Sequence, residues 1–147
     1  MRIYALIQAR CGSKRLPNKV IKLINGKSTI EHLHKRMTLT NFFSKIVILT
    51  SDEKKDDKII NICKKKKYRF FRGSEKNVSL RFFNFCLANE MDFFLRVNAD
   101  SPLLDFNIIE KKIKFLKKFQ IVTNCMVKTY PKGQSFELIS KKIFVNS

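Results

Sequence analysis

Long apolar runs are absent from this chain. Stretches such as residues 46–49 and 93–97 are far shorter than the roughly 20 residues a membrane-spanning helix needs. The first residues also lack the layout of a signal peptide, and together these absences predict a cytoplasmic protein. Cysteine is sparse and scattered. Cys11, Cys63, Cys86 and Cys125 lie far apart with no CxxC spacing, which fits neither a zinc knuckle nor a dense disulfide framework and predicts reduced thiols that mostly fill the core. His32 and His34 have the wrong spacing for an i, i+4 metal pair, and no Ser-His-Asp grouping is visible. Neither a histidine metal site nor a covalent nucleophile is expected. The 3 prolines and 4 glycines fall mainly in expected loops, and no repeat or linker divides the chain, so residues 1–147 read as a single domain.

Acidic residues are few as well: 12 Asp and Glu stand against 31 Lys and Arg, for a formal net charge of +19. Such an imbalance raises nucleic acid as a partner, because Lys and Arg neutralise phosphates and release counterions. Its make-up weakens that reading. Lysine greatly outnumbers arginine, and the runs at residues 64–67 and 141–142 fall at expected helix ends or starts, where solvated faces hold charge without forming a site. What remains, 44% hydrophobic and 12% aromatic residues, is enough to bury one core and to exclude intrinsic disorder.

Strand-like apolar runs at residues 3–7, 46–50, 68–71, 93–97 and 119–123 alternate with segments of helical spacing. Ser28 and Glu31 have capping-box spacing and start a helix over residues 29–37. Residues 55–66 place Ile59, Ile60, Ile62 and Cys63 on one stripe, residues 77–89 place Val78, Leu80, Phe83 and Leu87, and residues 107–118 place Ile108, Ile109, Ile113 and Leu116. Strands joined by helices pair in parallel through right-handed crossovers, which predicts an α/β doubly wound sheet with binding loops at the strands' carboxyl ends. Those loops are residues 9–19, 51–57, 72–77 and 98–105.

The first loop packs Arg10, Lys14, Arg15 and Lys19 around Gly12, Ser13 and Pro17. Gly12 lets backbone amides approach a phosphate, Ser13 adds a hydroxyl, and the cations surround an anion with forked and point charges. It is not a Walker loop, whose spacing is absent. On these residues alone, an anion site and a solvated basic loop both remain open. The loop at residues 98–105 brings Asp100 out of the fourth strand, where a carboxylate suits a hard cation such as ligand-bound magnesium. Asp105 directly precedes a helical run, so capping accounts for it.

Read together, Ile7-Gln8-Ala9-Arg10-Cys11-Gly12-Ser13-Lys14-Arg15-Leu16-Pro17-Asn18-Lys19-Val20 resembles the opening IQARxGSxRLPGKV of the cytidylyltransferase family, which includes the spore-coat polysaccharide protein SpsF and relatives of CMP-Kdo and CMP-N-acylneuraminate (sialic acid) synthetases. The resemblance continues in order. Thr50-Ser51-Asp52 is similar to that family's TTD or TSD, Phe71-Arg72-Gly73-Ser74-Glu75 to FRGSE, residues 97–105 to ITGDCPLID, and residues 130–137 to YPDGLDVE.

The resemblance implies a Rossmann-like nucleotidyltransferase fold of the nucleotide-diphospho-sugar transferase type. It implies CTP and a sugar as substrates, Mg²⁺ as cofactor, surface-polysaccharide synthesis as the setting, and a homodimer in full-length relatives. By the same carry-over, Arg10, Arg15, Lys19 and Asp100 are the catalytic set. Ala9, Arg10, Gly12, Ser13, Lys19, Arg81 and Asp100 touch the nucleotide, and Asp100 holds the metal. Arg81 has a second reading as a plain surface arginine. Three departures stand out: Asn18 replaces a glycine, Lys132 and Ser135 replace acids, and family members are considerably longer. The last leaves a truncated or degenerate nucleotide-binding domain as the alternative to an active enzyme, with a basic nucleic-acid-binding protein behind both.

Overall fold

The computed structural model describes residues 1–13, 15–127 and 129–146, so Lys14 of the basic loop lies outside the described residues. In chain order the elements are β1 (Ile3–Gln8), the short strands β2 (Leu23–Ile24) and β3 (Lys27–Ser28), α1 (Thr29–Thr38), β4 (Lys45–Ser51), α2 (Asp57–Lys66), β5 (Arg69–Gly73), α3 (Val78–Leu87), β6 (Phe93–Asn98), α4 (Phe106–Ile113), β7 (Ile121–Thr123), β8 (Glu137–Ser140) and α5 (Lys141–Asn146). Short 3-10 turns occupy Lys19–Ile21, Lys54–Asp56 and Lys114–Lys117.

The main sheet has the order β5-β4-β1-β6-β8-β7. From β5 to β6 every pairing is parallel, with Ile7 in register with Ile48 on one side and Val97 on the other. Alternation along β1 distributes its side chains between two layers. Ile3, Ala5 and Ile7 pack with Ile30 and Leu33 of α1, Ile59 and Cys63 of α2, and Ile109 of α4. Tyr4 and Leu6 face Phe82, Phe85 and Cys86 of α3. Helices on both faces are what a parallel sheet needs, since its central strands are apolar on both sides. Each fully buried Leu, Ile or Phe contributes about 1.5–3 kcal/mol, so these layers dominate stability.

Local chemistry sets the helix ends. The Ser28 hydroxyl accepts the Glu31 amide while the Glu31 carboxylate accepts the Ser28 amide, the capping box expected from the spacing. Burial works against the Glu31 carboxylate, but bonds from Ser28 and the Lys66 ammonium hold it below its usual range. Asn77 caps α3 and Asp105 caps α4, each side chain accepting an amide of the first turn. At the end of α2, Lys67 turns into the left-handed region at φ 57° and accounts for one of the exposed lysines of that run.

Two sequence expectations are corrected. Residues 119–123 do not pair with a parallel neighbour: β7 (Ile121–Thr123) runs in the direction of the parallel strands but is separated from β6 by β8, a strand the periodicity missed, which lies antiparallel to both. Among the described residues no helix lies between β7 and β8, so the crossover a parallel pair needs is missing and the two run antiparallel. On α3 the stripe through Leu80 and Leu87 is exposed, at 44% and 56%. The buried face is instead Arg81, Phe82, Phe85 and Cys86. Both faces of this helix are apolar in sequence, and the one with the larger aromatic area wins the contact with Leu6, Leu49 and Phe94.

Candidate nucleotide site

β1 and β6 lie side by side, and their carboxyl ends open into a cleft of about 190 Å³ lined by Gln8, Arg10, Lys19, Val20, Asn98, Ala99 and Asp100. The ladder continues past both strands: Ala9 donates to Leu49 O at 3.0 Å, and Ala99 donates to Gln8 O at 2.9 Å. This rigid floor is what places the loops. Ala9, expected at the nucleotide, is 1% exposed and does not line the cleft.

Above it the first loop folds around the Cys11 carbonyl, which accepts the Ser13 amide at 2.9 Å and the Asn18 amide at 3.0 Å. Asn18 takes the left-handed conformation, φ 57°, that the family's glycine would supply, and asparagine tolerates it better than most residues. The chain then enters the turn Lys19–Ile21, which is anchored by the Thr29 hydroxyl donating to Val20 O at 2.7 Å. Lys19 is thereby aimed across the cleft, where its ammonium pairs with Asp100 of the facing loop.

The structure therefore brings Arg10, Lys19 and Asp100 into one cleft. Gly12, Ser13 and Arg15 stand on the loop outside its lining. Gly12 makes a close approach: a Cβ there would lie 3.2 Å from the Lys55 Nζ, which forms an ion pair with Glu75 over the loop. Asp105 is a helix cap, as expected, and its amide donates to Gln134 Oε1 at 2.7 Å.

Arg81 is not a surface residue. It is 1% exposed, and its Nε and Nη2 have no hydrogen-bond partner among the described residues; Nη1 reaches Ser74 O at 3.4 Å. Burial pulls its guanidinium below the usual arginine range, with the Asp56 carboxylate opposing and Arg10 reinforcing the shift. Gly73 makes room for it, since a Cβ at Gly73 would lie 2.9 Å from the Arg81 Cγ.

Sequence reasoning missed Gln8 and Asn98 as cleft residues. The available signal was position, since both are the last residues of central parallel strands. It also missed Arg96, which donates to Gln8 Oε1 at 3.2 and 3.3 Å and to Glu137 Oε2 at 2.8 Å. These bonds join the cleft to a second recess of about 200 Å³ lined by Arg96, Val97, Asn98, Cys125, Ser135, Phe136 and Glu137. Ser135 lines that recess, whereas Lys132 is exposed. Among the described residues no group of three or more His, Cys, Asp or Glu side chains is arranged to hold a metal.

A mostly parallel sheet with a cationic loop after its first strand and a carboxylate after its fourth places the chain in the Rossmann-like α/β class. The chain belongs to the cytidylyltransferase family, whose pattern it matches over residues 4–140. It is 36% identical over 118 residues to an uncharacterized protein of Methanocaldococcus jannaschii, a match covering 80% of this chain and 49% of that one. It is 34% identical over 116 residues to the spore coat polysaccharide biosynthesis protein SpsF of Bacillus subtilis, covering 76% and 48%. A solved cytidylyltransferase from Leptospira borgpetersenii superposes with a TM-score of 0.92 at 29% identity, covering 99% of this chain and 63% of that one. The chain spans about half the length of the curated relatives it matches.

Proposed function

We propose that the protein transfers CMP from CTP to a sugar, an acidic keto-sugar or a related one, with release of pyrophosphate, in surface-polysaccharide synthesis. The observation that carries this reading is the convergence of Arg10 and Lys19 on Asp100 at the carboxyl ends of two adjacent parallel strands. Membership of the cytidylyltransferase family supports CTP as the donor, and the likeness to SpsF supports a polysaccharide setting. The buried, free thiols and the lack of any helix long and apolar enough to cross a membrane, among the described residues, support work in the cytoplasm.

The chemistry asks for positioning and charge neutralisation more than for a covalent catalyst. A sugar hydroxyl oxygen bonds to the α-phosphorus, the bond to pyrophosphate breaks, and the hydroxyl proton passes to solvent. Arg10 and Lys19 neutralise the phosphate oxygens, with Arg15 adding charge from the loop's outer face. Gly12 and Ser13 flank the cleft, with the Ser13 hydroxyl as a further donor toward the nucleotide, while the buried Ala9 shapes the start of the loop without touching it. Arg81, buried outside the cleft lining, acts through its positive charge rather than by touching the nucleotide. Asp100 fits a magnesium ion, which is commonly held by one or two carboxylates plus substrate phosphates. When bound, that ion would supply charge neutralisation at the triphosphate. The recess at Arg96, Ser135 and Glu137 suits the acceptor, because it adjoins the cleft through Asn98.

The test is pyrophosphate release from CTP and Mg²⁺ in the presence of a panel of keto-sugar acids and neutral sugars. Acceptor-dependent release supports the enzyme. CTP binding without release for any acceptor supports a nucleotide-binding domain without turnover.

A further inference from the structure

Asp56 ends the 3-10 turn that follows β4 and has no exposed surface. Its Oδ1 accepts the Cys11 backbone amide at 2.7 Å. Its Oδ2 accepts the Ser51 amide at 3.3 Å and the Ser51 hydroxyl as well. Among the described residues it makes no ion pair. A carboxyl group buried this deeply is costly unless its bonds are needed, and a buried Asn or Ser could satisfy Ser51 alone.

The second partner explains the choice. Cys11 is the node of the basic loop: its carbonyl gathers the amides of Ser13 and Asn18, and its own amide is the one Asp56 holds. The residue before Asp56, Lys55, packs its ammonium against Gly12 in the same loop. The turn after β4 thus grips two successive residues of the loop after β1. Arg72 fixes that turn in its place, donating to Ser51 O at 3.0 Å, Glu53 O at 2.9 Å and Asp57 Oδ1 at 2.7 Å.

We propose that Asp56 is a positioning residue for nucleotide binding, holding the Cys11 peptide so that Arg10 on one side and the Gly12–Ser13 segment on the other keep the geometry that receives a triphosphate. This rests on reading the cleft as the CTP site. Positioning matters because a small misplacement of binding groups costs far more than the energy of the bond that prevents it.

Hydrogen exchange of the Cys11 and Gly12 amides in the ligand-free protein tests the grip, and CTP affinity with Mg²⁺ tests its consequence. The comparison uses Asp56→Ala, Asp56→Asn and Ser51→Ala at a temperature where each variant is folded. Asp56→Ala should speed loop exchange relative to β1 amides and weaken CTP, each by about tenfold, because a bond to a charged acceptor is lost. Asp56→Asn keeps one oxygen and should lose only about threefold. Ser51→Ala removes a bond on the other side of the carboxylate and should lower the melting temperature while leaving loop exchange and affinity unchanged. Should Asp56→Ala not fold, Asp56→Asn against Ser51→Ala gives the same contrast. Loop exchange and affinity that respond alike to Ser51 and Asp56 variants, or to neither, would overturn the proposal. A wild-type protein that binds no CTP would overturn the nucleotide reading, and the exchange arm would still decide whether Asp56 holds the loop.

Discussion

Lys19 and Asp100 form an ion pair across the cleft, tying the loop after β1 to the loop after β6 at the point where both strands end. The two side chains are 31% and 33% exposed. A pair in such contact with water contributes only about 0–1 kcal/mol, so it does little for the fold. Its groups match the two needs of a bound triphosphate: a cation for the phosphates and a carboxylate for their metal.

Arg10→Ala and Lys19→Ala are therefore expected to weaken triphosphate binding by roughly 1 to 3 kcal/mol each, the range for charge-assisted bonds, with little change in melting temperature. Lys65→Ala is the control, since Lys65 lies in the exposed last turn of α2. Lys66 is a poorer control because it pairs with Glu31 of the α1 capping box at 3.1 Å. Isothermal titration of all three variants with CTP decides whether a site or diffuse charge does the binding; equal losses at Lys65 would point to diffuse charge.

Asp100→Asn keeps the shape and loses the charge a hard cation needs. It should abolish the magnesium-dependent part of CTP affinity and leave the fold intact. Asp105→Asn should be nearly silent in binding and stability, since asparagine caps helices about as well as aspartate and the Asp105 side chain accepts the Asn107 amide at 2.9 Å. Titrations of both variants with and without Mg²⁺ separate the roles. An unchanged magnesium dependence in Asp100→Asn would remove that residue from the site.

Arg81 offers a contrast between stability and function. A buried guanidinium with unsatisfied donors costs stability, and an apolar residue of similar reach in its place is often neutral or stabilising. Arg81→Met should hold or raise the melting temperature while weakening CTP binding. A variant that loses stability but binds CTP normally would assign Arg81 to packing instead.

The buried thiols make stability depend on pH on the alkaline side. Burial lifts Cys11 from its ordinary 9.0 to about 11, with Asp56 adding to the shift. Burial likewise lifts Cys63 to about 11 and Cys86 to about 12. The folded state therefore favours the protonated thiols. Their contribution to stability is intact below the unfolded value of 9.0 and is lost as pH rises through the folded values of about 11 to 12. Denaturation midpoints should fall over that alkaline window and less so in a Cys63→Ala, Cys86→Ala double variant. At about pH 8, iodoacetamide should label the exposed Cys125 alone, because the thiolate is the nucleophile.

Much of this was legible in the sequence because it rests on local chemistry. The capping box at Ser28 and Glu31, the cap at Asp105, and the four parallel strands follow from spacing that neighbouring residues enforce. The left-handed Asn18 was readable from the glycine it replaces. What escaped depends on distant partners. β8 is four residues long and gains its register from β6 and β7, and the buried face of α3 is chosen by Phe94 and Leu6 rather than by the helix itself. At the site, Arg10, Lys19 and Asp100 were marked by motif, but Asp56 was not, because its grip on Cys11 joins two loops with no pattern in common.

The melting temperature of the protein with CTP, ATP or GTP, each with and without Mg²⁺, tests whether the cleft is a nucleotide site selective for CTP. A site filled far above its dissociation constant stabilises a protein by about 2 to 4 kcal/mol. A clear upward shift is expected with CTP and Mg²⁺, a smaller one with CTP alone, and little with the purine nucleotides. Equal shifts with all three nucleotides, or none with CTP, would contradict that reading of the cleft.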